Sequence, residues 1–218
     1  MSAPSNDAAP STREKILDVA EALFARRGFS GVGMREVADR VDISKSTLFH
    51  HFRSKLQLYC RVVERVLSRI AEAVQPSLNS DAIATEKLDL WLNALIDALA
   101  AHPTTARILL RGLFEDDDLP DEGDPDAAAV ERSVESLIAG FQELVRRGME
   151  DGMFRTLSVP DATQSVIGAT VYHFASGEVG EAVIGAPIFS AESVRRRRRE
   201  VIDFVHNAMA APAAQREA

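Results

Sequence analysis

Lys45, Ser46, Thr47, His50 and His51 fall within seven positions of the chain, and each ends in a polar atom that can donate or accept a hydrogen bond. A lysine ammonium can donate to guanine O6 and N7, serine and threonine can approach a thymine methyl or a phosphate, and histidine can reach a base edge. His51 and the nearby Lys55 suit phosphates, which fix the register of a complex without reading its sequence. Catalysis is not expected. The chain holds no G-x-S-x-G, G-x-G-x-x-G, P-loop, H-E-x-x-H or C-x-x-C, and its single cysteine, Cys60, has no histidine in helical register beside it. The acidic stretch from Glu115 to Asp126 lacks the alternating ligands, turn glycine and closing glutamate of a calcium loop, so no metal or other cofactor is expected.

Such a donor set reads DNA only when one short helix presents it. Met34, Val37, Ala38 and Val41 recur at three- and four-residue spacing, which gives a helix an apolar face while Arg35, Glu36, Asp39 and Arg40 stay wet. Asp42 tolerates the left-handed conformation that ends this helix, and Ser44 is a good N-cap for the next. That second helix, Lys45 to Phe52, is about 12 Å long, comparable with the roughly 12 Å width of the major groove. Leu48 and Phe52 anchor it inward, and Ser44 and Phe49 complete the face expected at DNA. The pattern is a helix-turn-helix. Upstream, Ser11 and Glu14 form a capping box for a helix to about Arg27, closed by Gly28. Downstream, Ser54 caps a long helix from Lys55 to Gln75, which Pro76 is expected to end.

The net charge of −8 argues at first against a nucleic-acid partner, but its distribution along the chain points the other way. Residues 11–57 carry nine Lys or Arg against six Asp or Glu, whereas residues 58–218 carry sixteen against twenty-six. A basic module on an acidic body is what local docking on DNA requires. The first ten residues have neither a basic n-region nor an apolar h-region, and no run of 18 apolar residues occurs, so neither a secretion signal nor a membrane partner is expected. One cysteine fits a reducing cytoplasm.

The stretches TREKILDVAEALFARRGF and MREVADRVDISKSTLFHHFRSKLQLY resemble the DNA-binding domain of TetR family transcriptional regulators over its whole length of about fifty residues. The glycine placement and the H-F-x-S-K-x-x-L closure carry the resemblance. It implies that Arg35 reaches a base and that Lys55 grips a phosphate. Three positions depart from the family pattern: Gly33 replaces a Ser or Thr, Asp42 the turn glycine, and Phe49 a tyrosine whose hydroxyl would meet a phosphate. The resemblance further implies an all-α chain: a three-helix helix-turn-helix domain followed by a helical body with an internal ligand pocket, and a homodimer formed through the two C-terminal helices. Such a protein would act as a repressor released from a palindromic operator in double-stranded DNA by a small-molecule effector, with the long helix pivoting between pocket and DNA. A ligand-independent DNA-binding protein or a helical carrier of apolar molecules are the competing readings.

About nine helices are expected, in a disordered arm (1–10), the DNA-binding domain (11–57), the ligand-binding and dimerisation body (58–210) and a disordered tail (211–218). In the body the periodicity predicts helices over 82–101, 104–115, 127–150, 158–176 and from Ser190 onward, with Ser158 and Asp161 as an S-x-x-D start and residues 177–187 as a loop. The candidate pocket residues are those that combine bulk with a polar or soft atom: Trp91, His102, Arg111, Phe141, Met149, Tyr172 and His173. The run Arg195 to Arg199 is expected to pair in part with the acidic stretch Glu115 to Asp126, itself read as a solvated loop.

Overall fold

The computed structural model describes residues 10–114 and 123–211, all of whose regular elements are helices. Most of the expected arm and tail, and residues 115–122 of the acidic stretch, lie outside the described residues. In chain order the helices are α1 (Thr12–Arg27), α2 (Met34–Val41), α3 (Lys45–His51), α4 (Lys55–Leu78), α5 (Ala84–Ala101), α6 (Thr105–Phe114), α7 (Pro125–Glu150), α8 (Val159–Ala175), α9 (Gly177–Ile184) and α10 (Ala191–Met209).

Local chemistry sets these boundaries. The capping box of α1 is formed from both sides, Glu14 Oε2 accepting from Ser11 N at 2.7 Å and Ser11 Oγ from Glu14 N at 3.3 Å. Asp42 takes a left-handed conformation (φ 60°, ψ 48°) at the end of α2, and the Ser44 hydroxyl accepts from Thr47 N at 3.0 Å to open α3. Gly33 offers α2 no side-chain cap.

Three expectations are corrected. α4 does not stop before Pro76 but runs to Leu78; the proline falls in the last turn, where its missing N–H forfeits one bond, and the helix ends two residues later. Residues 177–187 are not all loop. Gly177 (φ 57°) breaks the chain away from α8, and a separate two-turn helix, α9, follows and closes on Gly185 in the left-handed conformation. It buries no residue fully: Val179, Ala182 and Val183 recur at helical spacing but face solvent, and the described helices number ten where about nine were expected. The Ser158 carbonyl accepts from Ala162 N at 2.9 Å, but its hydroxyl caps nothing in the first turn of α8, where Pro160 is pre-set for the helix instead.

α4 is the spine. α5 and α7 pack along its body half and α1 against its first half, while α6 touches both α1 and α8, and α10 lies on α5 and α8. Phe24, Leu48, Phe52, Leu58 and Tyr59 join the module's core to the spine, and Leu92, Ile96, Leu99, Phe141, Val145 and Phe174 fill the body. One core is therefore continuous from the helix-turn-helix to α10. The last turn of α10 is pinned to the α7–α8 connection by a bridge between Phe154 and Ala210 and by Arg155 Nε donating to the Ala208 carbonyl at 2.6 Å.

Candidate functional site

The buried Leu48 and the capping Phe52 hold α3 against the module, so its other face turns outward. Ser44, Lys45, Ser46, Thr47, Phe49 and His50 are all exposed, and His51 is half-buried. Their freedom differs. Ser44 Oγ is committed to the cap and lies 2.8 Å from both Ser46 Oγ and Thr47 Oγ1. Lys45 Nζ stands over the Phe49 ring, 5.5 Å from its centroid, and the His50 and His51 rings meet edge to face at 5.8 Å. Arg35 on α2 retains 86% of its side-chain exposure and makes only a long ion pair, 3.9 Å, with Asp39. Lys55 turns partly inward, donating to the Phe29 carbonyl at 3.0 Å with its ammonium over the Phe29 ring. Three cations thus flank one exposed helix. Arg53, directly after the α3 cap and 67% exposed, is a fourth; no motif position singles it out in the sequence, although it lies inside the basic module.

Two ion-pair clusters fasten this module to the rest. Glu21 on α1 is buried and accepts from Arg65 at 2.6 Å, Arg69 at 2.7 Å and the Thr104 hydroxyl at 2.5 Å. Burial alone would raise its pKa, but the hydrogen bonds from Thr104 and Arg69, with Arg65 behind them, outweigh it and hold the carboxyl below the usual range. On the other side Asp126, at the start of α7, accepts from Arg53, Gln57 and Arg61 at 3.1, 3.1 and 2.8 Å. Asp126 is therefore a buried anchor and not part of a solvated loop. In the arginine run Arg196 donates to the Ile184 carbonyl, Arg197 to the Ala169 carbonyl, and Arg198 to Asn93 at 2.9 Å and to Asp97, while most of the acidic stretch expected to pair with the run lies outside the described residues.

In the body, a groove of about 840 Å³ runs along the seam between α4 and α7 and is closed at one end by the start of α5. Leu67, Ala71, Val74, Leu78, Leu137 and Leu144 give it an apolar floor; Lys87, Arg132 and Arg147 stand at its edges with Glu143 and Asp151. A smaller groove of about 360 Å³ separates α8 from α10. None of the seven candidate pocket residues lines either. Trp91 and Phe141 pack together in the core at 4.5 Å between ring centroids, and Arg111 on α6 donates to the carbonyls of Ala25 at 3.2 Å and Arg26 at 3.1 Å. His102 and Tyr172 are exposed, and Met149 is half-buried, its sulfur accepting from Leu157 N. His173 is buried, its Nε2 without a partner, and its pKa falls to about 4 through burial first and the nearby Arg197 and Arg196 second. Burial raises the Cys60 thiol to about 12, with Asp124 and Asp126 adding to the effect, which leaves no nucleophile there. No group of three or more metal-ligating side chains occurs, and no helix is long and apolar enough to cross a membrane, among the described residues.

A three-helix module with one exposed polar helix, carried on a larger helical body, defines a helix-turn-helix protein. Residues 16–62 match the family described as bacterial regulatory proteins, tetR family, and residues 85–205 match the tetracyclin repressor-like C-terminal domain. The chain belongs to the TetR family. It is 29% identical over 150 residues to the HTH-type transcriptional activator FasR of Mycolicibacterium smegmatis, covering 67% of this chain and 65% of that protein. It is 30% identical over 128 residues to the HTH-type transcriptional repressor KstR of Mycobacterium tuberculosis, covering 58% and 56%. The chain thus spans somewhat under two thirds of the length of these two relatives. The fold is similar to that of AibR, whose structure is in complex with isovaleryl coenzyme A and operator DNA, with a TM-score of 0.72 and 17% identity over 89% of this chain and 97% of that one.

Proposed function

We propose that this protein is a dimeric transcriptional regulator, a repressor that leaves its operator when a small molecule binds its body, working in the cytoplasm and without catalytic activity. The observation that carries the reading is the exposed polar face of α3, set between Arg35, Lys45 and Lys55 on a module of net positive charge. In this reading residues 11–57 bind DNA and residues 58–210 bind effector and partner. Lys45 and His50 read base edges, Arg35 reads from the helix before, and Ser46, Thr47, His51 and Lys55 hold phosphates. Ser44 and Phe49 shape the face, one as a cap and the other as a platform for Lys45.

Two recognition helices must meet half-sites about 34 to 36 Å apart, or a multiple of it, which one module cannot do alone. Tyr172 on α8 and Phe204 on α10 leave 61% and 60% of their surface exposed, and they support a partner docked on that side. The effector seat is the α4–α7 groove, whose volume lies within the range of small-molecule sites. Its apolar floor and cationic edges suit an amphipathic molecule with an apolar body and an anionic group. AibR, bound to an acyl thioester of coenzyme A and to operator DNA, is a relative of similar fold that carries both kinds of ligand.

The experiment is selection of bound duplexes from a random library, followed by release of the selected duplex with amphipathic anions. A palindromic consensus with release is expected. Selection of a consensus that no such molecule releases would leave a ligand-independent DNA-binding protein, and failure to select any duplex would remove the reading.

A further inference from the structure

α7 does two things along its length. At its N-terminus Asp124 caps the helix and Asp126, with 9% of its side chain exposed, holds Arg53, Gln57 and Arg61. Arg53 immediately follows the residue that caps the recognition helix, and its amide donates to Gln57 Oε1 at 2.9 Å, so one carboxylate of the body sets the corner from which α3 departs. One helical turn later α7 becomes a wall of the groove, through Ala129, Ser133 and Ser136, facing Leu67, Ala71 and Val74 of α4. Within the groove the two helices come close: a Cβ at Gly140 would stand 2.9 Å from Leu78 Cδ1, and both residues line it. Clamp and groove therefore follow one another on a single α4–α7 seam, with the close contact lying inside the groove.

A 26-residue helix is about 39 Å long and moves as a rod. Anything that widens the seam at the groove tilts α7 against α4, and the near end of the lever is Asp126. The opposite side of the module is tied separately, to α6 by Arg111 on the Ala25 and Arg26 carbonyls and to α4 and Thr104 by Glu21. Losing one of two ties lets the module turn about the other.

We propose that Asp126 is the positioning residue through which the α4–α7 seam sets the angle of the recognition helix, and that an amphipathic ligand in the groove acts by pulling this carboxylate off Arg53 and Arg61. The assignment of the groove to the effector rests on the function proposed above; the clamp itself does not. Asp126→Asn keeps the shape and removes the charge, and Gly140→Leu is a wedge built into the seam, so neither test needs the natural effector.

In the full chain without DNA, Asp126→Asn should raise amide hydrogen exchange across residues 52–57 about tenfold with the global melting temperature little changed, and Gly140→Leu should do the same. On the duplex selected by the wild type each should weaken binding about five- to tenfold, and the double variant no further, because both act through one contact. If Asp126→Asn does not fold, Arg61→Gln opens the same pair and carries the same expectation. Unchanged exchange in the clamp variant, or losses that multiply in the double variant, would overturn the proposal. A protein that selects no duplex yet shows the coupled exchange would remove the regulatory function and leave the clamp standing.

Discussion

The Lys55 ammonium stands 4.2 Å from the centroid of the Phe29 ring and donates at 3.0 Å to the Phe29 carbonyl. It uses one of its three protons to staple the start of α4 to the turn after α1, and the other two remain for a phosphate. Lys55→Ala should therefore do two things at once: weaken binding to all duplexes alike, with a salt slope smaller by about 1, and lower the melting temperature. Lys45, exposed and touching only Phe49, should behave otherwise, with Lys45→Ala leaving the melting temperature alone and relaxing preference at one base pair at a cost of about 1 to 3 kcal/mol. Salt-dependent titration and thermal melts separate the two; a Lys55→Ala protein with wild-type salt slope would place Lys55 off the DNA.

Phe49 keeps 39% of its surface exposed on the same face and offers no hydrogen bond. Adding a hydroxyl there gives the helix a donor where the sequence lacks one. Phe49→Tyr should tighten binding by about 0.5 to 1.5 kcal/mol without altering the consensus, since a phosphate contact reads no sequence. A changed consensus in a repeated selection would put this ring at a base edge.

The helix-turn-helix was legible because its signals are local. The cap at Ser44, the left-handed Asp42 and the spacing of Leu48 to Phe52 all act within a turn or two, and the structure places each as the spacing predicts. The body's contacts were not legible, because they join residues far apart in sequence. Asp126 lies in a run of acids that reads as solvent-facing, yet it is neutralised by Arg53 and Arg61, 73 and 65 positions away. Arg111 combines bulk and charge, as a pocket residue would, but it spends both on the end of α1. α9 is a different case: Val179, Ala182 and Val183 recur at helical spacing, but Gly177, Gly180 and Gly185 around them read as loop residues.

Glu21 ties three elements with its carboxyl held below the usual range. A depressed carboxylate contributes stability that is present above its unfolded pKa and lost as pH falls through the folded one. Stability of the chain should thus decline on acidification below the ordinary value of 4.5, and Glu21→Gln should flatten that decline. At neutral pH the same change should cost about 2 to 3 kcal/mol, less than the loss of a fully buried pair because Arg65 and Arg69 keep 26% and 24% of their surface in water. Urea titrations across the acid range measure both; an unchanged acid limb in the variant would move the linkage to another carboxylate.

His173 works in the opposite sense to a salt-bridged histidine. Its imidazole is buried neutral, its pKa lowered to about 4 by burial and by Arg197 and Arg196. Below pH 6.5 the unfolded chain takes up a proton that the folded chain refuses, so stability falls from 6.5 down to about 4 and this contribution is constant below that. Replacing it with Gln should remove the slope in that window, on the order of 3 kcal/mol from end to end. Retention of the slope in urea titrations between these limits would exclude His173 as its source.

In the function proposed above, Tyr172 and Phe204 form the surface that pairs two modules into one reader. They are large, apolar in most of their surface and 61% and 60% exposed, on helices that pack against each other. Leaving both in water costs a monomer little, but burying them against a second copy removes apolar area at about 25 cal/mol per Å². Tyr172→Glu combined with Phe204→Glu puts like charges on both sides of such a contact while touching none of the buried core. The doubly substituted protein should sediment as a monomer, melt within a few degrees of the wild type, and keep its weak affinity for a single half-site. Its affinity for the full palindrome should drop about 10² to 10⁴-fold, the advantage that simultaneous engagement of two sites confers. A variant that remains dimeric and holds the palindrome would move the interface to another face, and with it the spacing between the two recognition helices.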